Sequence, residues 1–268
     1  MGNHIFMPTD AALKDTVQLF WQTEQYNSFQ CETIIPKGTI EIIFNFCNNS
    51  NYTARLNHQE IQIPRCFILG FTTTPVQLQL PWKQSCFGVL LKPSSVQPIF
   101  GFPAGELINQ FIDMTLVDAS MLSLWHHLAE QTSFNKRVQI TSDWLKLRSP
   151  HLTDREVAFN NYLNMASDKL LSVSEMADWL CYSHRHLSRK LQQLTGMNTE
   201  QTLLYKKHIR SAFLMHHSNL ALTEISYACD FADQSHFIKT FKSFAALTPG
   251  DYKKRKSQII GHFFDNVR

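Results

Sequence analysis

Residues 233–244 read DQSHFIKTFKSF, in which polar and apolar residues interleave at helical spacing. Phe237, Phe241 and Phe244 recur every three or four positions and form an apolar stripe. Gln234, Ser235, His236, Lys239 and Thr240 fill positions between them, behind Asp233, a residue type that caps helix starts. Amide, hydroxyl, imidazole and ammonium groups on one side of a helix suit hydrogen bonding to base edges and phosphates in a DNA major groove, which is about as wide as a helix. The same face would also serve as the solvated side of an ordinary helical hairpin.

A near-copy argues for the first of these. Residues 175–194 read EMADWLCYSHRHLSRKLQQL and residues 224–244 read EISYACDFADQSHFIKTFKSF. Glu175 aligns with Glu224 at an offset of 49, and Ser183 with Asp233, Leu187 with Phe237 and Leu191 with Phe241 at an offset of 50. Each copy predicts a short helix, a tight turn and a longer helix, so two helix–turn–helix units are expected, over 172–196 and 222–246. Ser172 with Glu175 makes a capping box, and Ser183 and Gly196 frame the second helix of the first unit. In the second unit Ala221 stands where Ser172 stands and cannot cap. Asp230 lies in the turn, where a left-handed backbone is expected.

Upstream the pattern is different. GTIEIIFNF puts Ile40, Ile42, Phe44 and Phe46 on one face, and PVQLQLP alternates Val76, Leu78 and Leu80 with Gln77 and Gln79. Residues 29–91 therefore read as short strands, punctuated by Pro and Gly, in a small barrel or sandwich. MLSLWHHLAEQ and KRVQITSDWLKL then predict an amphipathic helical pair over about 118–148. RSPHLTD, residues 148–154, is the expected domain boundary. The fold class is α+β: a β domain with a helical pair over 1–150, then an all-α domain over 151–268.

Composition fits two globular domains: 268 residues, 44% hydrophobic. Net charge is +3, made up of −1 in the first 150 residues and +4 in the remainder, which suits an anionic partner of the C-terminal half. No apolar run is long enough to span a membrane, and MGNHIFMPTD carries no secretory signal, so a cytoplasmic protein is expected. The six cysteines are scattered and read as buried free thiols. His126–His127 and His216–His217 are neighbours that point about 100° apart on a helix, and His58 stands alone among the strands, so neither a metal nor a cofactor is expected. Phe44, Phe46, Phe67, Phe71, Trp82 and Phe87 could line an effector pocket or simply form core.

The paired motifs resemble the AraC/XylS family of bacterial transcription regulators over roughly Asp154 to Arg255. They stand here as SHRHLSRKLQQLTG and FADQSHFIKTFKSFAALTPGDYKKR. The resemblance implies two helix–turn–helix units joined by a linker helix, here TEQTLLYKKHIRSAFLMHH. It implies base reading by Arg185, Ser188 and Arg189 in the first unit and by Gln234, Ser235, His236 and Lys239 in the second. Lys190, Thr240 and Lys242 would contact phosphates. KKRK, 253–256, would add nonspecific affinity or be a solvated tail. Three positions depart from the family: His208 replaces an Arg, Asp230 a Gly, and Ala246 a Gly. The first half resembles the cupin-like sensory and dimerisation domain of such regulators. The implied partners are double-stranded DNA, a small-molecule effector, RNA polymerase and a second copy of the chain. Two other readings remain: a ligand-binding or enzymatic β domain fused to a DNA-targeting module, for which no catalytic constellation is evident, and a nonspecific architectural DNA binder, which would carry a larger basic surplus.

Overall fold

The structure is a computed structural model that describes residues 4–47, 52–148, 151–164 and 170–265. In chain order its strands are β1 (His4–Phe6), β2 (Val17–Tyr26), β3 (Cys31–Ile34), β4 (Ile40–Asn45), β5 (Thr53–Leu56), β6 (Gln59–Gln62), β7 (Cys66–Leu69), β8 (Val76–Gln79), β9 (Lys83–Leu91), β10 (Phe111–Asp113) and β11 (His262–Asp265). Its α-helices are α1 (Ala11–Lys14), α2 (Pro93–Phe100), α3 (Ser120–Ala129), α4 (Phe134–Lys146), α5 (Asp154–Leu163), α6 (Val173–Trp179), α7 (His184–Thr195), α8 (Thr199–His217), α9 (Leu222–Ala228), α10 (Gln234–Ala245) and α11 (Pro249–Arg255). None of the described helices is long and apolar enough to cross a membrane.

Two antiparallel sheets form the N-terminal half, in the orders β1-β2-β9-β4-β7-β10 and β11-β3-β8-β5-β6. Neither closes on itself, so a barrel is not formed. The strand alternation explains the layering. Ile40, Ile42 and Phe44 join Phe20, Phe87 and Val89 in a core that α3 and α4 cover with Met121, Leu124, Leu128 and Val138. The other face of β4 and its neighbours presents Ile43, Phe67 and Cys86 to Ala54, Leu56, Val76 and Leu78 of the second sheet. The central strands of the first sheet are thus buried on both faces, while β1 at its edge is exposed. The second keeps one face wet, and Gln77 and Gln79 lie on it. The helical pair is found as expected. Of the six aromatics singled out above, Phe44, Phe67, Phe71 and Phe87 are core, Phe46 is half-buried against the core, and Trp82 is 71% exposed.

Four strands lie outside the 29–91 window: β1, β2, β10 and β11. β2 pairs with β9 along its length, with a register shift between Val17 and Leu19. β11 follows the last helix of the C-terminal half and pairs with β3, His262 opposite Ile34. At the expected boundary, residues 149 and 150 lie outside the described residues. After them a capping box between Thr153 and Glu156 starts α5.

Candidate nucleic-acid interface

The second helix of each unit is built by similar local devices. In the first unit Ser172 N–H donates to Glu175 Oε2 at 2.8 Å and Glu175 N–H to Ser172 Oγ at 3.3 Å, which starts α6. Cys181 takes φ +53 in the turn, and Ser183 Oγ accepts from His186 N–H at 3.3 Å to start α7. Leu187, Leu191 and Leu194 then bury against Phe159 and Met176, and Gly196 ends the helix at φ +74. In the second unit Ala221 supplies no side-chain acceptor. Glu224 keeps its half of the box, accepting from Ala221 N–H at 2.6 Å. Asp230 has the expected left-handed backbone, φ +53, and its carbonyl accepts from the Lys207 ammonium. Asp233 Oδ1 accepts from His236 N–H at 2.7 Å and starts α10. Phe237 and Phe241 are fully buried, while Phe244 packs half-buried on Tyr205 and His208. Ala246 takes the left-handed end position, φ +57, where the family has Gly.

The two units meet on α8, which spans Thr199–His217 as the expected linker does. Its start carries a capping box, Asn198 with Gln201. Ala212 and Met215 enter the core of the second unit. Leu203 packs against the core of the first.

The structure separates the expected contact residues into three groups. Arg185, Arg189, Gln234, Ser235, Lys239 and Lys242 are exposed on the first turns and outer faces of α7 and α10. Ser188, Lys190 and His236 are half-buried. Lys190 pairs with Glu156 at 3.5 Å, and His236 packs edge-on to Phe231 at 5.5 Å. Gln234 Oε1 accepts from Thr223 Oγ1 at 3.1 Å, and Arg189 Nη2 lies 3.4 Å from His186 Nε2. Thr240 is 7% exposed and so is not presented to a phosphate, because its position on α10 turns it inward beside Phe241.

The KKRK run is tied down at three of its four side chains, while Lys254, Arg255 and Lys256 remain exposed. Lys253 Nζ donates to Leu220 O at 2.8 Å, and Lys256 Nζ to Met215 O and His216 O at 2.9 and 3.1 Å. Lys256 therefore caps the end of α8, where carbonyls lack helical partners. Arg255 pairs with Asp265 of β11 at 2.9 Å. Among the described residues no group of three or more metal-ligating side chains converges.

Sequence reasoning missed the residues that dock the helical half on the sheets. Tyr205 Oη accepts from Gly38 N–H at 3.0 Å and donates to Thr72 O at 2.9 Å. His208 is fully buried, donates from Nε2 to Pro36 O at 3.2 Å and has no partner at Nδ1. Burial lowers its pKa to about 4 against the opposing pull of the Pro36 bond, so the ring is neutral. Gly105 and Gly196 let two backbones touch: a Cβ on Gly105 would lie 2.1 Å from Gln192 O. His262 Nδ1 lies 2.6 Å from Glu32 Oε1 beneath β11. The one signal in the sequence was His208 itself, a departure from the family pattern.

Comparison with known proteins agrees with the repeat. Residues 176–255 match a family described as a helix-turn-helix domain, and residues 5–113 match a domain of unknown function, DUF6597. The HTH-type transcriptional activator RhaS of Salmonella paratyphi B is 33% identical over 85 residues, covering 32% of this chain and 31% of that relative. The chain thus spans about a third of the length of such curated relatives. A regulator with an AraC-type DNA-binding domain from Chromobacterium violaceum is 25% identical over 33% of this chain and 79% of its own, with a TM-score of 0.32. An apo form of ToxT from Vibrio cholerae is 13% identical over 88% of this chain and 97% of its own, with a TM-score of 0.48. The repeated units and the family match agree: residues 176–255 carry a helix-turn-helix domain, similar over an 85-residue stretch to the transcriptional activator RhaS.

Proposed function

We propose that the chain is a sequence-specific transcription regulator that reads duplex DNA with α7 and α10 and answers to an effector through its sheets. The observation that carries this reading is the pairing of two exposed polar helix faces on one linker helix. Arg185, Ser188 and Arg189 would read bases from the first unit, and Gln234, Ser235, His236 and Lys239 from the second, with Lys190 and Lys242 on phosphates. α8 has 19 residues and is about 28 Å long at 1.5 Å per residue. That suits two major-groove segments on one DNA face, about 34 Å apart. In this reading residues 151–268 form the DNA-reading half, and residues 1–150 form a cupin-like sensory and dimerisation half. An opening of about 510 Å³ between the second sheet and the end of α10, bordered by Thr33, Gln77, Ala246 and Leu247, is where a small molecule would touch both halves. Leu122 and Leu147 leave apolar surface exposed on the α3–α4 pair, which supports contact with a second copy there. Work in the cytoplasm and contact with RNA polymerase belong to the same reading.

Selection of bound sequences from random duplexes by the full chain tests it. A bipartite consensus is expected. Arg189→Ala should then relax preference at one or two base pairs, at about 1–3 kcal/mol for a lost bidentate contact. Absence of any enriched sequence would overturn sequence-specific reading, and an equal loss on every sequence would make Arg189 a phosphate ligand.

A further inference from the structure

Cys47 and Cys86 stand apart from the other four cysteines. Asn45 of β4 pairs with Cys86 of β9, and Cys47 lies two residues beyond Asn45, further along the same face. The ladder changes there. Phe46 N–H still donates to Ser85 O at 2.9 Å, while Ser85 N–H donates to Cys47 Sγ at 3.3 Å. The Cys47 and Cys86 side chains lie in the same cluster between the two sheets. Cys47 is half-buried and Cys86 is 1% exposed. One thiol can therefore be reached from solvent while the other waits behind it.

The environment favours a thiolate at the outer position. The hydrogen bond from Cys86 lowers the Cys47 thiol to about 7, burial opposes this, and the Ser85 contact adds to it. The hydrogen bond to Cys47 and burial both push Cys86 well up, so it remains the proton-bearing partner. Burial likewise raises Cys66, and raises Cys229 to about 12. Cys31 bonds Gln79 Oε1 at 3.4 Å, on the wet face of the second sheet, and Cys181 lies exposed in the first helix–turn–helix turn.

We propose that Cys47 and Cys86 are a peroxide-reactive pair that closes to an intramolecular disulfide. The oxidant is hydrogen peroxide or an organic hydroperoxide. The Cys47 thiolate attacks the nearer peroxide oxygen; an S–O bond forms, the O–O bond breaks, and hydroxide or alkoxide leaves. Cys47 is then a sulfenic acid. The Cys86 sulfur attacks the Cys47 sulfur, the S–O bond breaks, and water leaves with the Cys86 proton. Two thiols are oxidised by two electrons and one peroxide is reduced. Cys47 follows β4 and Cys86 lies on its paired neighbour β9, so the second step needs no movement of one half of the protein against the other. The new bond ties the end of β4 to β9 beside Tyr52, in the cluster that joins the two sheets.

The test uses the reduced full-length chain at pH 7.5 with hydrogen peroxide at one to a few equivalents. Two free thiols per chain should disappear, non-reducing peptide mapping should link Cys47 to Cys86, and dithiothreitol should restore both. Cys86→Ser should leave Cys47 as a sulfenic acid that a 1,3-diketone probe captures, and Cys47→Ser should remove both products. The mapping is done on the unsubstituted chain, so a folding defect in either variant cannot hide the answer. Oxidation that starts at Cys31 or Cys181, or a Cys47 that passes to sulfinic acid while Cys86 stays reduced, would overturn the proposal.

Discussion

Acid should loosen this protein through His208 in a way that can be isolated. The ring is fully buried between α8 and the Pro36 turn, 4.9 Å from Phe241 and 5.1 Å from Phe244. Its folded pKa is about 4, whereas an unfolded histidine titrates near pH 6.5. Above pH 6.5 both states are neutral and the group contributes nothing to pH dependence. Below it the unfolded chain binds the extra proton, so stability falls with pH until the folded ring also protonates near 4. The whole gap is worth about 3 kcal/mol at roughly 1.4 kcal/mol per pH unit, and about 2 kcal/mol of it is lost between pH 6.5 and 5. Carboxylates contribute in the same window, so the measurement must be a difference. His208→Gln does not titrate and still carries an N–H for Pro36 O. Urea unfolding of both proteins at pH 7, 6 and 5 should show the wild type losing about 2 kcal/mol more than the variant. A difference that stays constant from pH 7 to 5 would refute the buried, neutral histidine.

Gly105→Ala should weaken docking of the first helix–turn–helix unit, because the new Cβ would meet Gln192 O at 2.1 Å and backbone cannot give way cheaply. Overpacking of this kind costs about 1–3 kcal/mol, and amide hydrogen exchange should rise at residues 193–197; unchanged exchange would count against the contact. Asp230→Val places a β-branched residue at φ +53 and should destabilise the second unit by about 1–2 kcal/mol, while Asp230→Gly should be tolerated. Thermal unfolding of the two variants decides this, and equal melting temperatures would argue against strain at that turn.

What the sequence disclosed depended on whether the relevant force was local. The capping box at Ser172, the left-handed turn at Asp230 and the apolar stripes of α7 and α10 all act within a few residues, and each was legible. So was the alternation in β4 and β8. β2 was not, because a bulge between Val17 and Leu19 breaks its period, leaving Val17, Phe20 and Gln22 inward at uneven spacing. β11 was missed for a different reason: HFFD is four residues long, and its partner β3 lies about 230 residues earlier. The anchoring of the KKRK run was not legible because its acceptors, the carbonyls of Met215, His216 and Leu220, become neighbours only after α8 and α11 pack. Thr240 shows the limit of carrying a role over by position. Its place in the motif implied a phosphate contact, but the pitch of α10 in this packing turns it inward.

Those nonlocal contacts change how the reading helices are held. α8 alone would fix their separation, since it joins the cores of both units. The sheets, however, grip the same assembly at three separate places. Gly105 meets the end of α7 at Gly196, the Pro36–Gly38 turn meets Tyr205 and His208 on α8, and β3 pairs with β11 behind the second unit. Ile35, just past β3, and Phe263 of β11 lie in the same cluster as Phe237 and Phe241 of α10. A displacement within the first half that moved these three sites unequally would have to rotate α7 against α10 or break a contact, because close-packed interfaces do not stretch. The separation of α7 and α10 is therefore set by residues in both halves, and removing 1–150 would expose β11 and the Ile35 side of the second unit's core at the moment it freed α7.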